Sequence, residues 1–142
     1  MIETNGSPER ALLVVRRSPK QTRWEVQESL DELARLTESA GAVVAGSLTQ
    51  DGPSRSPRLY LGKGKVEELR TLGRDRRADV VIADDNLSPA QERDLSKALG
   101  LKVIDRRALI LDIFAQRART SEGKLQVELA QLSYLLPRLV RR

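Results

Sequence analysis

The chain has 142 residues, 39% hydrophobic and 32% charged, which suits one globular domain with a small appended element. It contains no cysteine and no histidine, which excludes disulfides, zinc ribbons, iron–sulfur ligation, thiol nucleophiles and the commonest general base. The formal charge is +5, and all of the excess falls in residues 106–142, where Arg106, Arg107, Arg117, Arg119, Lys124, Arg138, Arg141 and Arg142 face only Asp112, Glu122 and Glu128.

Residues 1–105 balance to zero, so a polyanion partner is expected on the carboxy-terminal segment. The aromatics Trp24, Tyr60, Phe114 and Tyr134 are too few for a base-stacking sheet. No apolar run reaches the length of a membrane span, and Met1–Arg10 has no signal-peptide core. The expectation is a soluble, cytoplasmic protein with a flexible segment over residues 1–10.

In chain order, Ala11-Leu12-Leu13-Val14-Val15 reads as a buried strand. Arg23 to Ala40 carries a helical stripe of Val26, Leu30, Leu33, Ala34 and Thr37, closed by Gly41. Ala42-Val43-Val44-Ala45 is a second strand, and Thr49 to Pro57 has the composition of a loop. Leu59-Tyr60-Leu61 reads as a short extended piece. Gly62-Lys63-Gly64-Lys65 follows, and then a helix with Val66, Leu69 and Leu72 inward, with Glu67 and Glu68 expected in its first turn.

Val80-Val81-Ile82-Ala83, apolar on both faces, predicts a central parallel strand. Ser88-Pro89-Ala90-Gln91 is a capping box with proline at the first helical position, and Gly100 closes that helix. Leu101-Lys102-Val103-Ile104 is a fourth strand, after which Asp105 is placed to cap the helix from Ala108 to Ala118. The alternation predicts an α/β fold: a small, mostly parallel sheet of about four strands over residues 11–105, flanked by helices. Residues 106–142 read as a helical segment. There Leu125, Leu129, Leu132, Leu136 and Leu139 make a heptad seam, with Pro137 expected to kink or end the helix near Leu136. An open leucine seam calls for a partner helix beyond Arg142 or for self-association.

Three sets of residues carry alternatives. The Gly62–Lys65 turn is either a tight strand-to-helix connection or a phosphate contact. It lacks the Walker pattern, since Val66 follows Lys65. Asp84, Asp85 and Asp105, at the carboxyl ends of strands, are either caps and turn residues or a magnesium-type cluster. The arginine-rich set from Arg117 to Arg142 is either a solvated helix face or a phosphate-binding surface.

Longer motifs narrow these choices. Leu87-Ser88-Pro89-Ala90-Gln91-Glu92-Arg93-Asp94-Leu95, Val103-Ile104-Asp105-Arg106, the run Leu109 to Thr120, and Glu122 to Ala130 together resemble the amino-terminal region of the HflX-type GTPases. Tyr60-Leu61-Gly62-Lys63-Gly64-Lys65 matches the family's tyrosine-led glycine turn, while Arg107-Ala108 stands where Thr-Gly is frequent.

The resemblance implies an α/β subdomain, a helical hairpin and then a GTPase domain acting in cis, with GTP and magnesium bound there. On it, the hairpin tip and the GTPase domain would follow Arg142, so the chain reads as an excised amino-terminal domain. It further implies a non-catalytic effector that binds the large ribosomal subunit and its RNA in splitting stalled or stressed ribosomes. The first candidates for RNA contact are Arg117, Arg119, Lys124, Arg138, Arg141 and Arg142, and the second are Lys63 and Lys65. No catalytic, cofactor-binding or metal residue is assigned to this chain. The alternative function is an ATP- or GTP-binding regulatory domain using the Gly62–Lys65 turn.

Overall fold

The computed structural model describes residues 1–3, 6–52 and 58–140. Strands and helices alternate as β1 (Arg10–Arg17), α1 (Arg23–Ser39), β2 (Val43–Asp51), α2 (Lys63–Asp75), β3 (Val80–Ala83), α3 (Pro89–Leu99), β4 (Lys102–Asp105) and α4 (Arg106–Arg117), followed by α5 (Ser121–Val140). The four strands form one parallel sheet in the order β2-β1-β3-β4, which places the two most apolar runs at its centre.

Side chains two residues apart on a strand share a face, and the central strands divide accordingly. Leu12, Val14, Val81 and Ala83 join Val66, Leu69, Leu95 and Leu99 beneath α2 and α3. Ala11, Leu13, Val80 and Ile82 join Leu33, Ala108, Leu109 and Ile113 beneath α1 and α4. Helix α4 thus completes the second layer of the α/β body, and a boundary at residue 106 cuts through one hydrophobic core.

An unexpected cap starts α1, the Thr22 side chain accepting from the Glu25 amide. The expected helix signals are present at atomic detail. Ser88 and Gln91 make both bonds of the capping box, with Pro89 in the first turn. Gly100 ends α3 in the left-handed region at φ 69°, a conformation that costs glycine little.

Four expectations are corrected. Strand β2 runs on through Thr49-Gln50-Asp51, because its polar residues pair in register with Val15, Arg16 and Arg17. Leu59-Tyr60-Leu61 is a turn rather than an extended piece, with Tyr60 at φ 68°. Helix α2 begins at Lys63, so Lys63 and Lys65 occupy its first turn and Glu67 and Glu68 the second. The amino terminus is docked: Ile2 is buried in the α1/α4 layer, and its amide donates to Asp112 Oδ2 at 2.6 Å.

Helix α5 is not ended by its proline. It passes through Pro137 to Val140, and it packs against α3 and α4 beside edge strand β4. Its inward face carries Tyr134, Leu135 and Arg138, whereas the five leucines of the seam are 48–56% exposed.

Candidate nucleic-acid interface

The basic excess of residues 106–142 separates into two populations. Arg106 pairs with Asp84 at the end of β3 and with Glu32 of α1 at 2.8 Å. Arg107 pairs with Asp105 at 2.9 Å and donates to the Leu87 carbonyl at 3.0 Å. Arg138 is buried. Its Nε donates to Glu92 Oε2 at 2.7 Å and its Nη2 to the Leu87 carbonyl at 2.9 Å, and its guanidinium lies 3.7 Å from the centre of the Tyr134 ring.

Tyr134 lies between the charges. Its hydroxyl is 3.0 Å from Glu92 Oε2 and 3.1 Å from Asp105 Oδ1, and donates its one proton to either. Burial, reinforced by those two carboxylates, pushes the phenol far above its ordinary value. These contacts fasten α5 to the body. Arg138, expected to reach RNA, is instead a structural residue: its donors are turned inward onto Glu92 and backbone carbonyls. The clamp also explains the passage through Pro137, since Tyr134 and Arg138 fix the helix on either side of it.

The second population is Arg117, Arg119 and Lys124. All three are exposed, and none has a carboxylate partner among the described residues. They gather within eight residues at the α4–α5 corner, which lies at the amino edge of the sheet, where Gln116 donates to the Ala40 carbonyl at 2.8 Å. Arg141 and Arg142 lie outside the described residues.

Lys63 and Lys65 sit at the opposite, carboxyl edge. Lys63 is exposed, and Lys65 pairs with Glu68 at 3.2 Å. The turn before them is held from within: Tyr60 and Leu61 are buried, and the Tyr60 hydroxyl donates to Asp85 at 2.8 Å. The Gly62 amide donates to Gln50 Oε1 at 2.6 Å. Gln50, buried on β2, was missed because it lies in a stretch with loop composition; its place on an alternating strand face was the available signal. The glycine turn is thus accounted for by internal packing.

The three aspartates at the strand ends are separately engaged. Asp84 pairs with Arg106, and Asp85 with Tyr60 and Arg16. Asp105 caps α4 by accepting from the Ala108 amide at 3.2 Å and also accepts from the Leu87 amide at 3.0 Å. They are cap and ion-pair residues. Among the described residues no group of acidic side chains is disposed to hold a metal ion, and no helix is long and apolar enough to cross a membrane.

A four-stranded parallel sheet with helices on both faces, and a carboxy-terminal helix clamped against α3 and α4, defines a small α/β domain with exposed basic corners. The sequence profile of the family described as GTP-binding GTPase N-terminal matches residues 27–115, and that of the GTP-binding GTPase Middle Region matches residues 117–142. The chain belongs to this family, as the amino-terminal part of an HflX-type GTPase. It is 50% identical to GTPase HflX of Caldanaerobacter subterraneus over 99% of its length, and 50% identical to GTPase HflX of Escherichia coli over 80%. It spans 32% and 27% of those two relatives, respectively. A solved GTP-binding protein from Sulfolobus solfataricus, in complex with GDP, is 28% identical with a TM-score of 0.68, covering 94% of this chain and 39% of that one.

Proposed function

We propose that this chain is the RNA-facing domain of a GTP-hydrolysing protein that works on the large ribosomal subunit, in splitting or rescuing stalled ribosomes in the cytoplasm. GTP and magnesium would be bound by the GTPase domain that accompanies it in the longer relatives, and the present chain would bind rather than catalyse. The observation that carries this reading is the α4–α5 corner. Arg117, Arg119 and Lys124 are exposed there with no carboxylate partner among the described residues, while the other described cations of the helical part serve the fold. Arginine forks present paired donors suited to phosphate oxygens, and their placement on a fixed corner limits the entropy lost on binding.

Contacts of this kind release counterions, so affinity should fall steeply with salt. Co-sedimentation of the chain with isolated large subunits, with small subunits as control, tests the reading. Selective and salt-sensitive pelleting with the large subunit is expected. Equal pelleting with both subunits, or none at low salt, would overturn it.

A further inference from the structure

The zero net charge of residues 1–105 conceals a second basic surface. Residues 16–24 contain Arg16, Arg17, Lys20 and Arg23 and no acid; residues 53–65 contain Arg55, Arg58, Lys63 and Lys65 and no acid. The first stretch leads from β1 into α1 and the second from β2 into α2, residues 53–57 of it lying outside the described residues. Because β1 and β2 are parallel neighbours, both leave the same carboxyl edge of the sheet. The Gly52 amide donates to the Arg17 carbonyl at 2.8 Å, which ties the start of one connection to the other.

Some of this charge is neutralised. Arg16 faces Asp85, Arg17 faces Asp51 and Lys65 faces Glu68. Lys20, Arg23, Arg58 and Lys63 are exposed without a carboxylate partner among the described residues. The amino termini of α1 and α2 lie at the same edge and add their partial positive charge. An open cleft of about 500 Å³ lies at this edge, lined by Arg16, Arg17, Pro19, Gln21, Gly52 and Asp85, whose carboxylate is engaged by Tyr60 and Arg16. In the first turn of α1, three residues after Gln21, Trp24 is 72% exposed.

We propose that this edge is a binding site for single-stranded RNA, with Trp24 stacking on a base and Lys20, Arg23, Arg58 and Lys63 contacting phosphates. The assignment to RNA rests on the reading above, but it uses different residues, at the opposite edge of the sheet from Arg117, Arg119 and Lys124. An extended strand fits better than a mononucleotide. The cations are spread over two connections, and the Gly62 amide that would cradle a single phosphate is taken by Gln50. An unpaired base is required because stacking on an indole needs a free base face, which a duplex does not offer.

Trp24 is the chain's single tryptophan, so its fluorescence reports on the site directly. Titration with a short oligoadenylate should quench it saturably, with a midpoint that rises with salt, whereas an RNA duplex should not quench it. Lys20→Glu/Arg23→Glu/Lys63→Glu should weaken binding at least about tenfold and flatten the logarithmic salt slope by about 2, since each single-strand phosphate contact contributes about 0.7. Trp24→Leu should weaken filter binding by about fivefold or more, as expected for loss of one stacked base.

All of these side chains are exposed, and circular dichroism checks that the variants fold. Lys97→Glu, an exposed position in the last turn of α3 outside both basic surfaces, should leave oligonucleotide binding unchanged. Absent quenching, or an edge variant that binds like the parent chain, would overturn the proposal. Loss of large-subunit pelleting with intact oligonucleotide quenching would instead sink the ribosomal reading and leave this site standing.

Discussion

Truncating Arg138 should release α5 while the α/β body stays folded. The side chain makes three hydrogen bonds, to Glu92, the Leu87 carbonyl and the Tyr134 carbonyl, and stacks on the Tyr134 ring. In Arg138→Ala, Leu87 keeps Arg107 as a donor, but Glu92, its side chain only 12% exposed, keeps only the Tyr134 hydroxyl among its observed partners. Removing one partner of a buried pair costs about 3–5 kcal/mol. The residual hydroxyl bond argues for the lower end, which corresponds to roughly a 150-fold shift in the docking equilibrium.

Little else holds the helix, because its leucine seam faces solvent and helices in proteins draw most of their stability from tertiary packing. Amide hydrogen exchange should therefore accelerate about 150-fold across residues 121–140, and the amides of Leu13 and Ile82 should keep their protection. Replacing the pair together, as Arg138→Met/Glu92→Leu, should recover most of the loss, since apolar substitutes of similar size avoid the stranded charge. Unchanged protection of α5 in Arg138→Ala would refute the clamp, and uniform loss across the sheet would refute its separability.

Three further outcomes follow from burial. Leu69→Ala, at a fully buried position, should cost about 2–5 kcal/mol in denaturant unfolding, whereas Leu132→Ala, at 49% exposure, should change stability by less than about 0.5 kcal/mol. Gln50→Ala strands the Gly62 amide and should cost about 1–3 kcal/mol in the same measurement, with Gln50→Glu a milder change because it keeps an acceptor. Both tyrosines have phenols raised chiefly by burial, and then by Asp85 at Tyr60 and by Glu92 at Tyr134. A raised folded value favours the protonated form, so this stabilisation is complete below the unfolded value of about 10 and is lost as pH climbs toward the folded values. Alkaline titration followed at the tyrosinate absorbance should show no ionisation near pH 10 while the chain stays folded, and then a cooperative rise on unfolding. A simple titration centred near 10 would contradict the buried phenols.

The parts of the fold set by local chemistry were legible in the sequence. Val80 to Ala83 is apolar at every position, which requires cover on both faces, and the Ser88–Gln91 box marks a helix start through bonds between near neighbours. The parts set by distant partners were not. Thr49-Gln50-Asp51 has loop composition, and only pairing with Val15-Arg16-Arg17 makes it strand. Arg138 resembles its basic neighbours until Glu92, 46 residues away, claims it, although Tyr134 one turn earlier on the same face was a usable signal. Charge counting located the Arg117–Lys124 corner. It missed the carboxyl edge, because acids elsewhere in residues 1–105 cancel the two basic connections that the sheet brings together.

The ribosomal reading is tested most directly by comparing large-subunit binding of the parent chain and of Arg117→Glu/Arg119→Glu/Lys124→Glu across a salt series. Each phosphate contact contributes about 0.9 to the logarithmic slope on duplex nucleic acid, so loss of three should flatten it by about 2–3, with affinity reduced at low salt. A variant with the same affinity and the same slope as the parent chain would contradict the assignment of the α4–α5 corner to ribosomal RNA.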